Sequence, residues 1–479
     1  MTPELKEMCV DVNNTLSVAL EVLDNNAQGI IFIIEKKNSF LGVLTDGDIR
    51  RSFLKGYYQK TKISEIYNDK AFSLPVSSKD ELIQKKLSSL ISHIPLLNDQ
   101  GEVVDYASKN RLHRISVLEP LLAGKELEYI TECIKTNWVS SQGKFVSLFE
   151  ETLADFSNVP YALAVSNGTV ALHLALLTLD IGPGDEVIVP DFTFASSVNA
   201  IIHAGAKPVL VDVLPDTWTI DPNCIQEAIT NNTKAIMPVH IYGHPCNMDE
   251  ILKISDKNGL YIIEDCAEAL GAQYKGQPVG TFGDAATFSF FGNKVITTGE
   301  GGMVLFSKIF YYDKACVLRD HGMKKDLRYW HEVIGYNYRM TNMQAALGVA
   351  QMEQFDIFYK NREKNALLYF DKLKNNKFIQ LQSIQNWAKS SHWLVTLLIN
   401  ESSPINRDKL ITKLQKNGIE TRPTFFSMHM MPPYQEYKIQ NKYPISEKIS
   451  KTGISLPSSA SLNEDQIIDI CNKIISFLQ

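Results

Sequence analysis

Between residues 161 and 307, seven short and almost unbroken apolar runs recur: YALAVS, EVIVPD, KPVLVDV, AIMPVHIYG, LYIIED, AATFSFF and GMVLF. A strand with one wetted face alternates apolar and polar residues, so continuous apolar runs belong to strands covered on both faces. Helical patterns separate the runs, and that alternation predicts an α/β layer with a mostly parallel sheet between helices. The same constraint says where such a layer holds a ligand. Contacts come from the C-terminal ends of the strands and from the helix starts that follow them.

The 479 residues exceed what one core usually supports, about 250–300 residues. Residues 1–115 fall into two halves of similar grammar, each expected to hold a helix, a short β-rich run, a turn and a second helix. The first half contains LSVALEVLDNN, GIIFIIE and FLGVLTDGDIRRSFLKG, and the second contains DELIQKKLSSLI, HIPLLND and GEVVDYASKNRL. This is an approximate internal duplication. The texture changes at Ser116, so a large domain is expected over 116–365. A smaller C-terminal α+β domain is expected over 366–479, where HWLVTLLI reads as a strand and NRDKLITKLQKNG as a helix.

Charge and cysteine usage narrow the function class. A net charge of −6 without a long basic run argues against a nucleic-acid partner, yet leaves room for small anions held by backbone N–H groups. Seven cysteines are scattered without CxxC or Cys/His ligand spacing, so neither a disulfide framework nor a metal site is expected. The start MTPELKEM lacks an apolar export core, and no run approaches the ~18 apolar residues of a membrane span. A cytoplasmic protein is the expectation.

Four motifs fall at the strand ends. Ser166-Asn167-Gly168-Thr169 follows YALAV and opens the helix TVALHLALLTL, where small residues let backbone N–H groups approach an anion; the same residues also make a good N-cap and turn. Pro190-Asp191-Phe192-Thr193-Phe194 follows EVIV and puts aromatic faces where a planar ring could stack, although core packing is the other use of such residues. Glu264-Asp265-Cys266-Ala267-Glu268 follows LYII, and an acid there must meet a cation or hydrogen-bond donors. The fourth is TFSFFGNKVITTGEGG, Thr287 to Gly302, in which Lys294 emerges from a buried strand into a glycine-rich turn. A desolvated ammonium is costly unless its charge is consumed, and one solution is a covalent bond to pyridoxal phosphate.

On these motifs, the chain from about Leu118 onward resembles the fold-type I pyridoxal-phosphate aminotransferases of the DegT/StrS nucleotide-sugar family. FFGNKVITTGEGGMV and EDCAEALGA are most similar to its perosamine-forming branch. The resemblance implies that Lys294 bonds the cofactor and acts as acid/base, that Asp265 pairs with the pyridine nitrogen and that Phe194 stacks on the ring. It further implies that Gly168, Thr169 and Ser289 hold the phosphate, with Glu268 also at the cofactor. In GYNYRMTN, Asn337 matches a family residue that reaches the phosphate of the neighbouring subunit, which implies a homodimer, or a higher homo-oligomer, with shared sites. A related group has histidine at the lysine position and removes a sugar hydroxyl, so Lys294 implies transamination. His321, Arg422 and His429 are candidate substrate residues.

The implied reaction passes an amino group from L-glutamate to a nucleotide-linked 4-keto-6-deoxy sugar, with GDP-4-keto-6-deoxymannose as the acceptor and a UDP- or dTDP-linked keto sugar as the alternative. Two other readings are a pyridoxal enzyme of free amino acids and a nucleotide-sensing regulatory protein with an inactive transferase body. The first half of residues 1–115 resembles a CBS motif, and the two halves together look like a CBS pair, whose members often bind adenine nucleotides. Thr45 and Asp48 match the positions that usually hold ribose hydroxyls there. The second half carries Asp105-Tyr106-Ala107-Ser108 at the corresponding place and departs from the pattern.

Overall fold

The computed structural model describes residues 3–78, 80–88, 91–108, 115–324, 326–439 and 442–479. The chain divides into two compact units, Met1–Arg114 and Ile115–Gln479.

The first unit repeats one plan. Strand β1 (Cys9–Asp11) pairs parallel with β2 (Ile30–Glu35), which pairs antiparallel with β3 (Ser39–Thr45). In the second half, β4 (Leu74–Pro75) pairs parallel with β5 (His93–Leu97), which pairs antiparallel with β6 (Val103–Ser108). A helix joins the first two strands of each half, Leu16–Asn26 in one and Asp80–Lys86 in the other. The run IIFI of β2 is apolar throughout because both of its faces are covered: Ile31 and Ile33 enter one core and Ile30 and Phe32 another. Helix Asp46–Leu54 follows β3. The helix expected at the same place in the second half falls largely on 109–114, outside the described residues.

The second unit is built on a seven-stranded sheet, and its strands are the seven apolar runs. They are β7 (Tyr161–Val165), β8 (Glu186–Pro190), β9 (Lys207–Val211), β10 (Thr233–Ile236) and β11 (Tyr261–Asp265). After the short hairpin β12 (Gln273–Tyr274) and β13 (Gln277–Pro278) come β14 (Ala285–Ser289) and β15 (Gly302–Phe306). The order is β7-β15-β14-β11-β10-β8-β9, and only β15 runs against the other six. Burial of both faces is visible residue by residue. Ala162, Ala164, Met303 and Leu305 pack into one core, while Leu163, Val165, Val304 and Phe306 pack into the other. Helix Gly168–Thr178 is buried from Ala171 to Leu176, which is why its sequence lacks a polar stripe.

Close approach of backbones fixes the edge of this sheet. A Cβ on Gly302 would lie 2.5 Å from the carbonyl oxygen of Asn167 and 2.9 Å from the nitrogen of Gly168. The reversed strand therefore touches the helix start after β7, and a side chain at 302 would push them apart. The last hundred residues add an antiparallel sheet, β16 (Ile379–Leu381), β18 (Thr396–Ile399), β20 (Gly453–Ser455) and β19 (Arg422–Pro423) in that order, while β17 (Ala388–Lys389) extends the hairpin. Helices Phe355–Leu373 and Glu464–Leu478 back it through Tyr369, Leu373, Ile470 and Ile474. Among the described residues, no helix is long and apolar enough to cross a membrane.

Candidate active site

The C-terminal ends of β7, β8, β11 and β14 open on one cavity of about 790 Å³, within the range of small-molecule sites. Lys294 reaches it from the turn after β14. The Lys294 N–H donates to the carbonyl of Phe291 at 2.9 Å, and Gly299, at φ +80°, lets the chain fold back towards β15. Its Nζ stands 3.8 Å from the centroid of the Trp393 ring and 4.0 Å from Oε1 of Glu268. Burial lowers the affinity of this amine for a proton, and the nearby Glu268 and Asp265 oppose that shift only in part. An uncharged amine is the nucleophile that covalent cofactor binding requires.

Two buried carboxylates face the lysine. Asp265 ends β11; its Oδ2 accepts from the Ser197 hydroxyl at 2.7 Å and its Oδ1 from the Ala267 N–H at 3.1 Å. Burial raises its pKa, against those two bonds and the positive field of Lys294. Glu268 accepts the Tyr242 N–H at 2.7 Å. Tyr242 holds a left-handed backbone at φ 53°, a conformation that is strained for an aromatic residue and that the surrounding packing maintains. Burial pushes the Glu268 carboxyl up to about 7, with Lys294 pulling it down and Asp265 pushing it further up.

The strand end itself is pinned from beneath. Glu264 Oε1 accepts the N–H groups of Phe282 and Gly283 at 2.8 and 2.9 Å, and Oε2 accepts that of Gly280 at 2.8 Å. His240 Nδ1 accepts the Cys246 N–H at 3.0 Å, which leaves its Nε2 to donate to Glu264 at 3.2 Å. His240, Glu264 and Cys266 cluster as metal ligands could. The carboxylate is already saturated by four N–H donors, so the cluster acts as a pin that orients Asp265.

One end of the cavity lies at the start of helix Gly168–Thr178. Asn167 caps that helix by accepting the Val170 N–H at 3.0 Å. A Cβ on Gly168 would lie 2.8 Å from Cβ of Ser289, so only glycine admits the Ser289 hydroxyl beside the helix N-terminus. The hydroxyls of Thr169 and Ser196 bond at 2.8 Å. Phe194 lines the cavity and is 56% exposed, with its ring 5.6 Å from that of Phe425. Tyr242 stacks between Phe425 and Trp393, at 5.5 and 6.2 Å, and completes an aromatic wall.

Of the expected site residues, Gly168, Thr169, Phe194, Asp265, Glu268, Ser289, Lys294 and Arg422 line this cavity. His429 does not. It is buried elsewhere, with Nδ1 2.8 Å from Asp191, Nε2 3.1 Å from Glu447 and its ring stacked on Tyr443, so both ring nitrogens are already used and the expectation of a substrate contact is corrected. His321 and Asn337 also lie outside the cavity and are exposed; Arg339 gathers them through His321 Nε2 at 3.3 Å and Asn337 Oδ1 at 3.2 Å. In the first unit, Thr45 and Asp48 form a reciprocal capping box, and Arg51 bonds Asp48 at 2.6 Å. Sequence reasoning missed Ser197, Tyr242 and Trp393. Ser196-Ser197 directly after the Phe194 turn was a usable signal, whereas nothing local marks Trp393.

Comparison with known proteins agrees with this arrangement. The model of the DegT/DnrJ/EryC1/StrS aminotransferase family matches residues 120–475, and that of the CBS domain matches residues 1–55. The chain is 48% identical over 363 residues to the GDP-perosamine synthase of Escherichia coli O157:H7, covering 76% of this chain and 98% of that protein. It is 44% identical over 363 residues to the GDP-perosamine synthase of Vibrio cholerae, covering 76% and 99%. Among solved structures, Helicobacter pylori PseC, an aminotransferase involved in the biosynthesis of pseudoaminic acid, superposes with a TM-score of 0.73 at 28% identity over 76% of this chain and 99% of that one. Spr1654 of Streptococcus pneumoniae, solved in PMP and PLP forms, matches the PMP form with a TM-score of 0.73 at 27% identity over 76% and 97%.

The residues present fit pyridoxal phosphate. The glycine cradle at 168 with Ser289 and Thr169 suits the phosphate, Asp265 suits a protonated ring nitrogen, and Lys294 supplies the amine. Glu268 yields a test on the cofactor-free protein. Its carboxyl holds a proton up to about pH 7 when folded, against an ordinary value of 4.5. The stability this contributes is therefore complete below about pH 4.5 and is lost as pH rises through about 7. Over that interval the thermal midpoint of the native sequence should fall relative to that of Glu268→Gln, the difference isolating this carboxyl from the other titrating groups; parallel curves would contradict the assignment.

Proposed function

The chain belongs to the DegT/DnrJ/EryC1/StrS aminotransferase family and takes pyridoxal phosphate, and on that footing we propose that it moves an amino group from L-glutamate to C4 of GDP-4-keto-6-deoxymannose, giving GDP-perosamine. The observation that carries this reading is the mostly buried Lys294 amine beside Asp265 and Glu268 in a cavity opening on a helix N-terminus. Two relatives that are GDP-perosamine synthases, 48% and 44% identical, support the choice of sugar. The intact Lys294 and Asp265 pair argues against an inactive regulatory body.

When bound, the cofactor supplies an electron sink that makes the donor Cα–H acidic. Lys294 Nζ, whose hold on a proton burial weakens, would take that proton and pass it to C4′ of the cofactor, and in the second half-reaction would carry one from C4′ to C4 of the sugar. Asp265, oriented by Ser197 and the Ala267 N–H, keeps a proton on the ring nitrogen. Trp393 lies against Lys294 and stabilises the ammonium form that arises between the two transfers. Arg422 is a half-exposed cation in the cavity wall, suited to a carboxylate or a diphosphate.

Asn337 serves the cavity of a second copy in this reading. It is exposed and outside its own cavity, and the segment before it exposes Leu327, Tyr329, Trp330 and Ile334, the last at 91%. An apolar surface of that kind suits a homodimer with shared sites.

Two experiments check the proposal. Enzyme first converted by L-glutamate to its amine-bearing form should regain its visible absorption fastest with GDP-4-keto-6-deoxymannose; recovery only with a UDP- or dTDP-linked keto sugar would replace the substrate assignment. Mixed and reassociated Lys294→Ala and Asn337→Ala chains, each impaired alone, should recover about a quarter of native activity if each dimer shares its sites, and no recovery would contradict the shared site.

A further inference from the structure

Two stretches of the cavity wall are joined behind it by one buried pair. Asp191 follows β8 and His429 lies 238 positions later; both side chains are fully buried and neither lines the cavity. The Asp191 carboxylate accepts the backbone N–H of His429 at 2.9 Å and the ring Nδ1–H at 2.8 Å, and the Asp191 carbonyl accepts the Met428 N–H at 2.9 Å. The N–H of Asp191 donates to Val211 on β9 at 2.8 Å. Nε2 faces Glu447 at 3.1 Å, so a ring that carries both protons suits the two carboxylates. Burial weakens the hold of His429 on its second proton, but Asp191 and Glu447 outweigh burial and raise its pKa.

The turn after Asp191 depends on that pair. Phe194, three residues on, begins helix Ala195–His203, and no side chain caps the helix there. The Phe194 ring is 56% exposed and meets the Phe425 ring at 5.6 Å, so the backbone of the turn, more than close packing, sets where the ring stands. Downstream, Ser196 ties the turn to Thr169 and Ser197 ties it to Asp265. Upstream, Asp191 anchors it to His429. On the other side of the pair, Phe425 stands four residues before His429 and its N–H donates to the Tyr242 hydroxyl at 3.3 Å. The pair thus sets the spacing of Phe194 and Phe425 in the cavity wall.

We propose that His429 is a positioning residue for the cofactor: through Asp191 it fixes the turn that holds Phe194 over the pyridine ring. His429 itself touches neither cofactor nor substrate. A ring held in place beforehand binds its partner more tightly than one that must be ordered on binding, because the ordering cost is already met in the free protein. The inference goes beyond sugar amination and holds for whichever keto acceptor the enzyme takes.

The test titrates full-length, cofactor-free protein with pyridoxal phosphate, under conditions where far-ultraviolet circular dichroism shows each variant folded. Asparagine puts its amide nitrogen near the place of Nδ1 and glutamine near that of Nε2, so His429→Asn keeps a donor for Asp191 and His429→Gln removes it. His429→Gln should weaken cofactor binding at least about fivefold, as Phe194→Ala should, whereas His429→Asn should stay within about twofold of native. In the Phe194→Ala background, His429→Gln should cost less than about twofold more, the non-additivity that marks two residues acting through one contact. A loss of packing alone would weaken both His429 variants alike and would multiply with Phe194→Ala. Either of those results, or unaltered binding in His429→Gln or in Phe194→Ala, would overturn the proposal. Should His429→Gln not fold, Asp191→Asn breaks the same Nδ1 bond from the other partner and is held to the same pattern. No sugar nucleotide enters these titrations, so a failure here and a failure of the acceptor assignment are read separately.

Discussion

The structure depends on keeping the amine of Lys294 out of water without leaving it as an isolated charge. An ammonium that deep is unfavourable, and the protein answers with two carboxylates, a Trp393 ring and a position where the amine can give up its proton. Those partners come from distant parts of the chain. The sheet brings them together, because β11 and β14 are neighbours and deliver Asp265 and Lys294 at the same edge. Trp393 joins them from the segment just before β18.

Support for the site extends one layer below it. Glu264 alternates with Asp265 along β11, so the two carboxylates point to opposite faces. The lower one is locked by three backbone N–H groups and His240, and thereby holds the upper one in register. The glycines at 168 and 302 do the complementary job of removing side chains where Ser289 and the Asn167 carbonyl must approach. Precision at the lysine is thus a property of the sheet edge more than of the loop that carries the residue.

Strand positions were legible because their burial on both faces leaves no polar residues in the runs, and all seven runs are strands of one sheet. The reversal of β15 was not legible: an apolar pentapeptide between two covered faces reads alike in either direction. Site residues at strand ends were found for a physical reason, since small, aromatic and acidic residues break the apolar runs there. Trp393 and Tyr242 escaped because they converge only through tertiary packing. His429 misled for the opposite reason. A histidine in aromatic surroundings reads as a ligand contact, and here Asp191 and Glu447 consume it. In the first unit the duplication could be read from sequence and recurs as two sheets of one plan, while Thr45 and Asp48 have the local geometry of a helix cap.

The central claim is that one lysine, held by this edge, carries the cofactor. Borohydride reduction of the cofactor-loaded protein followed by peptide mapping measures that directly. A single pyridoxyl adduct, on Lys294, is the expected result. An adduct on another lysine with Lys294 unmodified would contradict it.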